Sequence, residues 1–221
     1  MLATFIIEVV CAIYVVYRYK LNAITRLVVA ILLGLATFQL AEYNICEGAW
    51  GVDSLTWARI GHVAITLLPP LGLHLATKLA SQDRPLLVGA AYGIAAIFSL
   101  IFMLVGQGMG AQLCLGNYVI FNLASWAVLP YAFYYYGLLA MGISYSWKAA
   151  KSLSSSSKKK ALYGLAIGYA AFVVPTTAAN IIDPATIAGI PSIMCGFAVV
   201  LAIVLVTNVL PNYYAKTITK N

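Results

Sequence analysis

The feature that most constrains this chain is a series of seven apolar runs separated by short polar connections, at residues 2–17, 24–44, 57–80, 85–106, 118–147, 162–182 and 190–210. A bilayer's hydrocarbon layer is ~30 Å thick and a helix rises about 1.5 Å per residue, so a run of about 20 residues is the length needed to cross it. The composition agrees: 63% of residues are hydrophobic and 9% charged, against roughly 45–50% and about 25% in soluble proteins. The expected fold is an all-α integral membrane protein, one seven-helix bundle spanning residues 1–221. Seven spans consume about 140 residues, which leaves no room for a soluble domain. Residues 211–221 make only a short tail, so a catalytic or signalling output that needs a folded cytoplasmic module is expected from a separate partner protein.

Orientation follows from the lysines and arginines, because cytoplasmic loops retain them during insertion. Arg18, Lys20, Arg26, Lys78, Arg84, Lys148, Lys151, Lys158, Lys159, Lys160, Lys216 and Lys220 fall on one side of the seven spans, and Arg59 alone falls on the other. The expected topology has the N-terminus outside and the C-terminus in the cytoplasm. The first run has no basic stretch before it and ends in Tyr17-Arg18-Tyr19-Lys20 rather than at a small-residue cleavage site, so it reads as a helix, not a signal peptide. The net charge of +7 is thereby explained by the cytoplasmic face and its anionic lipids, without nucleic acid. Ser152–Lys160 has the composition of a flexible loop. Pro69-Pro70, Pro130 and Pro175 lie near mid-span and free backbone carbonyls there. Residues 119–124 form a lid or interfacial turn ahead of the fifth helix, because Asn122 is costly against lipid.

The four cysteines divide by topology. Cys46 and Cys114 lie in external loops, where an oxidising compartment lets them form a disulfide that closes a long loop over the outer face. Cys11 and Cys195 lie within spans and read as small buried residues.

Ionisable groups inside a membrane span must face the bundle interior or a water-filled cavity. Glu8, Glu42 and His62 all fall in the outer half, and Gln39, Thr66, Trp126, Tyr131, Thr176, Thr177 and Asn180 fall at comparable depth. Together they form either an externally open polar pocket for a small ligand or a set of interhelical hydrogen bonds that locks the bundle. Gln39 and Glu42, three residues apart, share a helix face. The inner half holds little besides His74.

Several activities lack the residues they need. A retinal Schiff base requires a lysine in the last span, and residues 190–210 contain none. Haem ligation by two histidines calls for two helices, whereas His62 and His74 lie about 18 Å apart on one. A zinc set of Glu8, Glu42 and His62, or one with Asp183, has no ligand spacing motif. Ion transport needs charged groups at several depths, which the inner half lacks. No cofactor or metal is expected.

Phe38-Gln39-Leu40-Ala41-Glu42-Tyr43, then Trp57, then Leu67-Leu68-Pro69-Pro70-Leu71-Gly72-Leu73-His74 resemble the N-terminal seven-helix sensor region of bacterial membrane histidine kinases. The resemblance covers about a third of the chain. It implies a sensory module in a prokaryotic plasma membrane whose outer half receives a small or lipid-like ligand, here without the kinase. A membrane-embedded lipid-modifying enzyme, or a transport or accessory subunit of a membrane complex, are the alternatives, since a shared fold does not fix function.

Overall fold

The computed structural model describes residues 1–104, 108–115, 118–183, 186 and 189–218. Its helices are α1 (Leu2–Arg18), α2 (Ala23–Glu47), α3 (Ser54–Thr66), α4 (Leu68–Leu79), α5 (Pro85–Leu104), α6 (Ser125–Ser152), α7 (Ser156–Ile182), α8 (Ile190–Val204) and α9 (Leu210–Ile218), with a π-helical turn at Leu205–Val209 joining the last two. Six stretches are long and apolar enough to cross a membrane: Ala23–Glu47, Ser54–Leu79, Pro85–Leu104, Ser125–Ser152, Ser156–Ile182 and Ile190–Ala215. The chain is therefore an all-α membrane protein in outline, and α1, of 17 residues, is shorter than these six.

Local signals set the boundaries. Asn22 caps α2 by accepting from the Thr25 N–H at 3.0 Å, and Gly48, at φ 65°, closes it in the left-handed conformation that costs glycine nothing. Asp53 caps α3 and accepts from both the Thr56 N–H (2.9 Å) and its hydroxyl (2.7 Å); the Thr56 hydroxyl first, then the amide, holds this carboxyl below its usual pKa. Ser54–Leu79 is the most buried of the six stretches, and it breaks at Leu67 because Pro69 and Pro70 open α4. Pro70 has no N–H for the Thr66 carbonyl, and the Tyr134 hydroxyl of α6 donates to that carbonyl instead, at 2.6 Å.

Helix contacts use small residues to bring backbones close. Gly61 meets Phe38 and Ala41 of α2, and a Cβ at Gly72 would overlap the Tyr169 hydroxyl of α7. The core runs the length of the bundle through Phe38, Ile65, Leu73, Phe102, Leu165 and Met194, each no more than 2% exposed.

The structure corrects three expectations. The fifth apolar run is not one helix from residue 118: in keeping with the lid or turn expected at 119–124, α6 begins only at Ser125, but residues 118–123 form strand β2 (Tyr118–Leu123), paired antiparallel with β1 (Met109–Leu115), rather than a turn. Hydropathy cannot separate a short apolar strand from a helix, and the β-branched, alternately buried Tyr118-Val119-Ile120-Phe121 run favours the pleat. Cys46 occupies the last turn of α2 and Cys114 lies on β1, not in loops. The serine-lysine segment is not a long loop, since α7 begins at Ser156 and lysine is a good helix former. Gly106 and Lys220 lie outside the described residues.

The bundle has two distinct ends. One carries the hairpin, joined to α2 by the Cys46–Cys114 disulfide across a Cα separation of 5.7 Å. At the other, which holds most of the lysines, a single tyrosine gathers the turns: Tyr214 donates to the Lys20 carbonyl (2.8 Å), lies 2.9 Å from the Thr25 hydroxyl, accepts from Asn22 Nδ2 (2.9 Å) and stacks on Tyr19 at 4.9 Å between centroids. Tyr145 donates to Gln82 (3.0 Å), and Lys78 pairs with Asp83 at 2.6 Å. The Lys78 hydrogen bond holds the Asp83 carboxyl below its usual pKa.

Candidate functional site at the hairpin end

Two groups of side chains form beneath the hairpin. The first joins α1, α2 and α8. Glu8 is fully buried on α1, Glu42 is 1% exposed on α2, and the two carboxyl groups interact electrostatically. The Ser192 hydroxyl of α8 accepts the Val119 N–H of β2 at 3.1 Å and lies near enough to the Glu42 carboxyl to act on its charge, so one serine stands between the acid pair and the hairpin. Neither Glu8 oxygen has a partner, nor has Glu42 Oε1, nor the buried Nε2 of Gln39 one turn earlier. Cys195, one turn after Ser192, lies within electrostatic range of both carboxyl groups.

The second group joins α3, α5, α6 and β2. The buried His62 ring lies edge-on to Phe121 (4.7 Å between centroids) and Phe102 (5.3 Å), and neither ring nitrogen makes a hydrogen bond of good geometry. The Thr66 hydroxyl donates to the His62 carbonyl at 2.6 Å, which leaves its oxygen to accept from Tyr131 at 3.0 Å. Phe98 and Phe102 pack on Tyr131 at 5.2 and 5.1 Å.

Beside this second group lies a pocket of about 360 Å³, at the lower end of the usual size for small-molecule sites. Ile65, Phe121, Tyr131, Tyr135 and Met194 are its buried walls. Val128 and Asn122 form its exposed rim, with Pro191 half-buried beside them. No lysine, arginine, histidine, aspartate or glutamate lines it.

The ten residues expected to form a polar pocket therefore separate. Glu8, Gln39 and Glu42 occupy the buried acid region, and His62, Thr66 and Tyr131 the aromatic region. Of the ten, only Tyr131 lines the pocket. Trp126 is 56% exposed on the outer face of α6. The Thr176 hydroxyl closes on its own helix at the Phe172 carbonyl (2.7 Å), as Thr177 does on Val173 (2.8 Å), and Asn180 accepts from Thr186 at 2.8 Å. Ser192, Phe121, Tyr134 and Tyr135 are site residues that the sequence did not single out. Among the described residues no three His, Cys, Asp or Glu side chains gather as a metal set.

No protein-family model and no curated protein matches this chain.

Proposed function

We propose that the chain is a seven-helix membrane sensor module that binds a small or lipid-like ligand at its hairpin end. In this reading α1 is the seventh span, the hairpin end faces outward, and the lysine end faces the cytoplasm of a prokaryotic cell, where a separate protein receives the signal. The observation that carries it is the coincidence, at one end, of the 360 Å³ pocket with most of the buried polar atoms that lack a partner. A protein that only had to hold its helices together gains from satisfying such groups, since each orphan costs about 1–3 kcal/mol. The resemblance of 38–43, Trp57 and 67–74 to kinase sensor regions supports the same reading, as does the one-sided distribution of basic residues.

The test is a thermal-shift panel of small apolar and amphiphilic compounds on the full chain in nanodiscs. A compound that raises the unfolding temperature of the wild type and not of Ala132→Trp, in which the pocket is filled, supports the reading. A panel without effect, or one that acts equally on both proteins, overturns it. A fluorescent protein fused after Asn221 that folds only in the cytoplasm reports the orientation, and a dark fusion reverses it.

A further inference from the structure

We propose that the pocket takes an uncharged amphiphile directly from the bilayer, its hydrocarbon part held between α6 and α8 and its oxygen bound by the Tyr135 hydroxyl. This rests on the pocket reading above and names the chemical class and the route. Three observations carry it.

The first is depth. Val128 and Tyr136, the limits of the α6 wall, lie three and eleven residues after the helix start at Ser125, about 5 and 17 Å along the axis. α6 has 28 residues, about 42 Å, so a ~30 Å hydrocarbon layer centred on it begins about 6 Å from the helix start and covers nearly all of that interval. The second is direction. Strand β2 crosses the pocket at its hairpin end through Phe121 and Leu123, and Ile65, 1% exposed, closes the back. Its exposed rim includes Val128, whose neighbours along α6, Leu129 and Phe133, are 64% and 73% exposed; on a membrane span such a surface meets lipid. A ligand from water would have to pass the hairpin, whereas one from the bilayer would not.

The third is chemistry. The pocket's walls carry no ionised group, so a charged headgroup would enter without a counter-charge, at high cost in a dry site. Tyr131 spends its hydroxyl on Thr66 and Tyr134 spends its own on the Thr66 carbonyl. Among the described residues this leaves two pocket tyrosines whose hydroxyls have no protein partner, the half-buried Tyr136 and Tyr135, which at 9% exposed is the more enclosed of the two. A buried hydroxyl seeks an acceptor, and an alcohol or carbonyl oxygen supplies one.

The experiment places the full chain in phosphatidylcholine nanodiscs with a long-chain fatty alcohol carrying a photoactivated diazirine, and maps the adducts by peptide mass spectrometry. The expected adducts fall on 128–136 and 190–194, disappear under excess unlabelled alcohol, and are lost in Ala132→Trp. In Tyr135→Phe the competing alcohol is needed at about fivefold to tenfold higher concentration, the loss of one hydrogen bond. The wild-type competition keeps the test decisive if Ala132→Trp does not fold. Adducts spread over the exposed face of α5 and not competed overturn the proposal, as does equal competition by a fatty amine. Should the wild type be stabilised by water-soluble indole while the alcohol probe leaves the pocket unlabelled, the bilayer route falls and the pocket reading stands. If neither binds, both fall.

Discussion

The two ends of this bundle handle buried polarity in opposite ways. At the lysine end Asn22, Thr25, Tyr214 and the Lys20 carbonyl satisfy one another, and Thr77 returns its hydroxyl to the His74 carbonyl at 2.8 Å. At the hairpin end Glu8, Gln39, Glu42, Asn44, Trp57, His62 and Gln112 each leave at least one buried atom unpaired. Among the described residues, only Ser146 and Asn208 do so toward the lysine end. Polar groups that close on each other fix helices in place. Those left open cost stability, and proteins retain such costs where something other than stability is selected. In the proposed function this difference separates the half that holds the bundle from the half that binds.

This contrast can be broken by measurement. The largest effect belongs to the clamp on the hairpin. Replacing Cys46 and Cys114 with serine is expected to cost about 4 kcal/mol for a loop of 68 residues in the chain-entropy view, read as a lower denaturation midpoint in mixed micelles. A loss no larger than that of a surface substitution would mean that the hairpin holds without it. Next, Tyr214→Phe removes the hub of the lysine end and is expected to destabilise by about 1–3 kcal/mol. Glu8→Met at the hairpin end should have the opposite sign, neutral to about 1–3 kcal/mol stabilising, because it removes two orphan oxygens at nearly constant volume. Equal destabilisation by these two substitutions would erase the distinction between the ends. The smallest effect is a pH dependence at Asp53. Its folded-state pKa is lowered by Thr56, so its capping contribution is fully present above the unfolded value near 3.8 and is lost as pH falls through the folded value. Hydrogen exchange at the start of α3 should therefore quicken below about pH 4 in the wild type and be pH-independent, after intrinsic correction, in Asp53→Asn.

Much of this architecture was legible because a membrane span announces itself by length and charge. The helix positions followed from the apolar runs, and the break at Leu67 from the two prolines. The hairpin was not legible, since Tyr118–Leu123 is as apolar as a helix and differs only in which residues alternate. The disulfide followed from topology, although the two cysteines lie on a helix and a strand. Within the site, Glu8, Glu42 and His62 stood out because ionisable groups in a span are rare. Depth could not tell which way a side chain faces, so Trp126 and Thr177 were included although both face outward. Ser192 and Tyr135 carried no signal, because serines and tyrosines are common in spans and their importance lies in what their hydroxyls touch.

The proline break has one more consequence. A helix normally keeps all its rungs to itself, and this one has a rung supplied by a neighbour, the Tyr134 hydroxyl on the Thr66 carbonyl. Ser54–Leu79 is therefore two rigid rods sharing a joint, and the joint is fastened to the helix that forms a pocket wall. Through the Tyr134 hydroxyl α6 holds the joint directly, and the second rod ends among the lysines.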